Sequence, residues 1–249
     1  MLDTRHILAF PTEGARAELL PAILGGLPDP MRTADIRAKV HAAITRSRIP
    51  GIVCRPTQPV PKGGGQIGFS FPFRLGGQRV RSAVAVRAGQ IADFVTPWQV
   101  MAQAVVTGDA AHPAIGDLDR IGARTGVEIG LIGSVAMQVA TGLSYLHGGS
   151  DIDIVTRAAS AEQLAALWHE IAALGGARVD AEIALPGGLG VKLAEYMSGA
   201  GQLLAKSISD VRLIERSHLE AMVRQSWKTG ETPLEDHPRK QTERNGLWM

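Results

Sequence analysis

Val127-Glu-Ile-Gly-Leu-Ile-Gly-Ser134, then Val135-Ala-Met-Gln-Val-Ala-Thr-Gly-Leu-Ser-Tyr-Leu-His-Gly-Gly149, then Ser150-Asp-Ile-Asp-Ile-Val-Thr156 form the stretch whose reading decides the fold. The first run is short and aliphatic, as in a buried strand. It ends at Gly133-Ser134, where a small apolar helix is expected to begin. The last run alternates carboxylate and hydrocarbon with a period of two. On a strand, Asp151 and Asp153 then share one face while Ile152 and Ile154 anchor the other.

Carboxylates two positions apart on a strand stand roughly 6–7 Å apart, so both can converge on a hard cation. Mg²⁺ or Mn²⁺ is the expected metal, with Asp151 and Asp153 as ligands. Such ions take one or two carboxylates plus substrate phosphate oxygens, and they stabilise in-line displacement at phosphorus. Gly133 allows backbone to approach a phosphate closely, and the first amides of the helix, at Gly133 and Ser134, favour an anion. The alternative is a solvated edge strand beside an ordinary turn.

Gly133-Ser134 followed by Asp151-Ile152-Asp153-Ile154 resembles the polymerase-beta-type nucleotidyltransferase superfamily, whose signature is a Gly-Ser turn and then an acid-x-acid strand. The intervening segment, residues 135–150, is longer than that superfamily's usual spacing. The fuller string, with Thr141-Gly-Leu-Ser-Tyr-Leu146 and Ser150-Asp-Ile-Asp153, resembles the phosphoribosyl-dephospho-CoA transferases, the holo-acyl-carrier-protein synthases of malonate decarboxylase. The longer gap is part of that family's pattern. The likeness extends more loosely to Arg5-His6, to Pro50-Gly-Ile-Val-Cys-Arg55 and to Gly65 through Arg81, although Pro56 stands where a second arginine is usual.

The chain of 249 residues is long enough for one large or two modest domains. Its 45% hydrophobic and 20% charged residues describe a soluble globular protein. A net charge of +2 and few Tyr and Phe argue against a nucleic-acid partner. The single cysteine, Cys54, excludes an internal disulfide and a multi-cysteine zinc site. No apolar run reaches membrane-spanning length. The N-terminus lacks a secretory pattern, so a cytoplasmic location is expected.

Residues 5–10 predict a first strand, with His6 near its start in a structural hydrogen bond or, alternatively, as a catalytic base. A helix is expected over 33–46 and a strand over 49–55. Lys62-Gly-Gly-Gly-Gln-Ile-Gly68 has Gly-x-Gly-x-x-Gly spacing but neither the preceding strand nor the following helix of a dinucleotide fingerprint, and reads as a hairpin connection. Residues 79–86 and 90–95 read as a strand pair around Ala88-Gly89. Arg74, Arg79, Arg81 and Arg87 form either a carrier-docking patch or a solvated face. Helices are expected over 97–105 and 113–123, with a domain boundary in the 107–112 region.

Ser160-Ala-Glu-Gln163 is a capping box opening a helix that Gly175-Gly176 ends. Residues 177–185 alternate, which places Asp180 and Glu182 on one face. The family resemblance also implies an acidic pair here, as metal ligand or general base. After Pro186-Gly-Gly comes a strand–helix junction. Lys192 and Lys206 are candidates for neutralising a leaving diphosphate, and residues 210–223 read as a last helix.

The expected architecture is therefore α/β (α+β). A smaller N-terminal α+β module (1–108) precedes a nucleotidyltransferase-like catalytic domain (109–224) and a mobile tail (225–249). The resemblance implies transfer of a prosthetic group from 2'-(5''-triphosphoribosyl)-3'-dephospho-CoA to a serine of the malonate decarboxylase acyl carrier protein subunit, with release of diphosphate. The alternatives are another metal-dependent nucleotidyltransferase, the citrate lyase version of the transfer, or a non-catalytic nucleotide-binding partner protein.

Overall fold

The computed structural model describes residues 1–108 and 111–226. The tail expected from 225 onward lies outside the described residues beyond Ser226, as do residues 109–110 within the expected domain boundary.

The first half forms a five-stranded antiparallel sheet in the order β4-β3-β2-β1-β5. Its strands are β1 (Leu8–Pro11), β2 (Gly51–Cys54), β3 (Gly65–Leu75), β4 (Gln78–Val86) and β5 (Ile91–Val95). Helices α1 (Glu13–Gly25) and α2 (Ala34–Thr45) pack together, and α1 also lies on β4. Val53, Ile67, Phe69, Val84 and Val86 are buried in this layer. The alternate residues Ile52, Cys54, Gly68, Ser70, Arg81 and Ala83 are half-buried or exposed. One face of the sheet thus joins the core and the other stays open.

Three expectations for this half are corrected. Strands β4 and β5 are not a pair; they occupy opposite edges of the sheet. The tight turn lies instead at Gly76-Gly77, both with positive φ (54° and 80°), which only glycine adopts freely. The Gly63–Gly68 run is not a hairpin connection, because Gly65 already opens β3 and pairs with Val86. Helix α1 has no counterpart in the sequence reading. Thr12 caps it, accepting the Ala15 amide at 3.1 Å, and Ala15, Leu19 and Ile23 form its buried side, while Pro21 within the helix is exposed.

The second half carries a six-stranded mixed sheet in the order β11-β10-β9-β8-β7-β6. Its strands are β6 (Glu128–Leu131), β7 (Ile152–Arg157), β8 (Val179–Leu185), β9 (Leu189–Lys192), β10 (Gln202–Lys206) and β11 (Val211–Glu215). Among the described residues only β7 and β8 run parallel, joined through α6 (Ala161–Ala172) as a parallel pair requires. Around the sheet are α3 (Pro97–Thr107), α4 (Ile115–Thr125), α5 (Gly133–Thr141), α7 (Leu193–Met197) and α8 (Arg216–Ser226). Helix α3 packs on β6, α4 and α5, so the module expected over 1–108 ends in a helix that belongs to the second sheet. Thr96 and Gln99 cap it reciprocally.

Residues 210–223 do not form one helix. Ser207 and Asp210 close a hairpin through Ser207 N–H donating to Asp210 O at 2.8 Å, and β11 pairs with β10 along its whole length. The unpaired edge of β10 captures a segment that local pattern assigned to a helix. The whole is an α+β fold, and the arrangement is consistent with a nucleotidyltransferase-like catalytic half. Among the described residues, no helix is long and apolar enough to cross a membrane.

Candidate active site

The site is built by strand register. On β7, Ile152 and Ile154 are fully buried while Asp153 takes the opposite face. Asp153 lies beside Asp180 in the parallel ladder. Glu182 shares that face of β8 and pairs with Lys192 on β9. Gly190, two residues before Lys192, pairs with Lys206 on β10. The candidates Asp153, Asp180, Glu182, Lys192 and Lys206 therefore occupy one face across four neighbouring strands. Ala181, Ile183, Val191 and Ala205 fill the core on the other.

A cleft of about 300 Å³ opens on this face, and Asp153, Glu182, Lys192 and Lys206 line it. Gly133, at the start of α5, forms part of its wall. Gly133 has φ of 66°, and a Cβ there would strike the Asp153 carboxylate. Glycine is thus required twice, for backbone conformation and for close approach. Asp180 lies beside Asp153, where Lys192 Nζ donates to its Oδ2 at 2.6 Å. Asp151 sits one residue before β7 and is held by Arg178, whose Nη2 donates to Oδ2 at 2.7 Å. That ion pair holds the Asp151 carboxyl below the usual range. Asp153 behaves oppositely: burial and then the adjacent Asp180 charge raise it.

Arg5 and His6, from the segment before β1, close the cleft from the other side. His6 Nε2 lies 3.0 Å from Glu182 Oε1, and Arg5 Nη2 donates to Oε2 at 3.0 Å. Arg5 Nη1 also donates to the Lys206 carbonyl at 2.9 Å. Gly190 is the floor beneath this cluster, since a Cβ there would collide with Glu182. Burial pushes the Glu182 carboxyl up, but the hydrogen bond and charge of His6 and the Arg5 guanidinium outweigh it and hold it at about 2. His6 reaches this position with a φ of 68°, left-handed backbone that an L side chain adopts at a cost.

A second cleft of about 500 Å³ meets the first at Ile52, Gly133 and Asp153 and extends over the open face of the first sheet. Ser134 lines this cleft rather than the first.

Two family models divide the chain: the N-terminal domain of phosphoribosyl-dephospho-CoA transferase MdcG matches residues 4–97, and its C-terminal domain matches residues 99–217. This chain belongs to the phosphoribosyl-dephospho-CoA transferase family. A phosphoribosyl-dephospho-CoA transferase of Xanthomonas euvesicatoria pv. vesicatoria (strain 85-10) is 30% identical over 177 residues, covering 69% of this chain and 81% of the relative. One from Bradyrhizobium diazoefficiens is 30% identical over 156 residues, covering 61% and 68% respectively. No solved structure gives a significant match.

Within this family member, the structure brings Asp153, Asp180, Glu182, Lys192 and Lys206 onto one face beside Gly133 and adds Arg5 and His6, whereas Asp151 lines neither cleft. The sequence offers His6 as a structural hydrogen bond or a catalytic base, but nothing local in it points His6 or Arg5 at Glu182. The arginine patch disperses. Arg87 pairs with Glu18 at 2.7 Å, and Arg79 donates to Phe71 O at 3.0 Å and lies over the Tyr145 ring. Of these arginines, Arg81 lines the second cleft.

Proposed function

We propose that this chain transfers the phosphoribosyl-dephospho-CoA group from 2'-(5''-triphosphoribosyl)-3'-dephospho-CoA to a serine of the acyl carrier protein subunit of malonate decarboxylase. The observation that carries this reading is the convergence of Asp153, Asp180, Lys192 and Lys206 on one sheet face beside Gly133, in a chain of this family. In the reaction the serine oxygen forms a bond to the α-phosphorus. The bond from that phosphorus to the bridging oxygen breaks, and diphosphate leaves.

Lys192, Lys206 and Arg5 line the cleft and offset the charge of the departing diphosphate. The amides opening α5 face phosphate oxygens. For the serine proton, Asp180 is the better acceptor of the two strand acids. Glu182 is occupied by Arg5 and His6 and is far too weak a base at about 2.

The donor set suits Mg²⁺ or Mn²⁺. It is all oxygen, and Asp153 lies among carboxylates whose mutual repulsion a cation relieves. Among the described residues no cluster of three or more metal-ligating side chains is preformed, so two carboxylates and the donor's phosphates would complete the shell. Asp151 and Asp153 would hold the ion, Asp151 exchanging its exposed partner Arg178. When bound, the ion supplies electrophilic stabilisation of the phosphoryl oxygens.

Intact-mass spectrometry of the apo carrier subunit, incubated with this protein, Mg²⁺ and the triphosphoribosyl donor, tests the reading. The expected result is a gain of one phosphoribosyl-dephospho-CoA group, abolished by EDTA. An adenylyl adduct with ATP and none with that donor would refute it, as would modification of a citrate lyase carrier in preference.

A further inference from the structure

We infer that the larger cleft is the binding site for the dephospho-CoA body of the donor, with its nucleotide and pantetheine chain lying across the open face of the first sheet. This rests on the transferase reading and extends it to a subsite. The catalytic cleft of about 300 Å³ sits at the lower end of the range for small-ligand sites, about 300–1,000 Å³. It cannot enclose a triphosphate, ribose, adenosine and pantetheine together. The second cleft, of about 500 Å³, shares Asp153 and Gly133 with it. A phosphorus held at Asp153 therefore has one cleft on each side.

Charge decides which part of the donor lies where. The smaller cleft carries Arg5, Lys192 and Lys206, and the leaving diphosphate is the most highly charged fragment. The larger cleft has a nearly neutral lining whose one basic side chain is Arg81. Arg81 is exposed and makes no ion pair among the described residues. It is available for the internal diphosphate of dephospho-CoA.

The floor is shaped by register. Ile52, Gly68 and Ala83 stand side by side on β2, β3 and β4, and two short side chains in that row leave a trough. The opposite face of the same strands is filled by Ile67, Phe69 and Val84, so the trough cannot collapse inward. Ser134, at the start of α5, stands at its catalytic end.

Cys54, the chain's one cysteine, lies in this cleft and serves as a reporter. The test measures N-ethylmaleimide alkylation of Cys54 by intact mass in the presence of dephospho-CoA whose own thiol has been methylated. Calorimetry of the same ligand and of diphosphate runs alongside. Protection of Cys54 is expected, with dephospho-CoA binding weakened about ten-fold or more in Arg81→Glu and in Ala83→Phe, while diphosphate binding is retained. Lys206→Glu is expected to show the reverse pattern.

Binding that leaves Cys54 unprotected, or that both cleft variants leave unchanged, overturns the inference without touching the transferase reading. Carrier modification at an unaltered donor KM in both variants does the same. Failure of the parent protein both to bind dephospho-CoA and to modify the carrier overturns the two together.

Discussion

Glu182→Gln isolates the energetics of the buried cluster that joins the N-terminal segment to the catalytic sheet. The Glu182 side chain is only 8% exposed and meets Arg5 and His6, each at 3.0 Å. Its carboxyl titrates at about 2 in the folded chain, against 4.5 for an unperturbed glutamate. At about 1.4 kcal/mol per pH unit, that difference corresponds to about 3 kcal/mol of stability. Because the folded value is depressed, the contribution is fully present above pH 4.5 and is lost as pH falls toward about 2. Gln preserves the shape but removes the charge that Arg5 is paired with, and breaking a buried pair costs about 3–5 kcal/mol. Urea unfolding at neutral pH should therefore show the variant about 3 kcal/mol less stable. Followed between about pH 5 and pH 2, the parent should lose that margin while the variant lacks this component, so the two curves converge. A variant within about 0.5 kcal/mol of the parent at neutral pH, with a parallel acid profile, would refute the reasoning.

Asp153→Asn should abolish carrier modification while leaving unfolding unimpaired, since it removes a carboxylate that burial and Asp180 already disfavour; transfer retained at the parental rate would sink the assignment. Gly133→Ala places a Cβ against the Asp153 carboxylate at a φ of 66°. A stability loss of about 1–2 kcal/mol together with loss of transfer is expected, and urea unfolding with the mass assay checks both. Arg178→Ala frees Asp151 from an exposed partner. Thermal unfolding should be unchanged and transfer should saturate at lower Mg²⁺; a requirement for more Mg²⁺ would count against Asp151 as a ligand.

The stretch from Val127 to Thr156 was legible because each of its signals is local. The aliphatic run, the Gly-Ser turn, the small helix and the two-residue alternation of Asp151 to Ile154 need only neighbouring residues to be read. Alternation likewise placed Asp180 and Glu182 on one face. Periodicity names a face, however, and never the strand on the other side of it. That is why β4 and β5 read as a hairpin when each pairs elsewhere, and why β11 read as helix until β10 offered it an edge. The same limit hid the partners of the acids. Asp180 next to Asp153 is a matter of register, and His6 meets Glu182 across 176 positions of chain.

By itself, then, the amino-acid order determined which residues are candidates for phosphate and acid chemistry and which local elements present them. Tertiary structure alone decided that Glu182 is clamped by Arg5 and His6 while Asp153 and Asp180 stand together, and that the open face of the first sheet abuts the acid strand. The physical reason is that side-chain direction follows from one strand's own pleat, whereas burial, charge partners and the walls of a cleft depend on which distant segments the closed chain brings to that face.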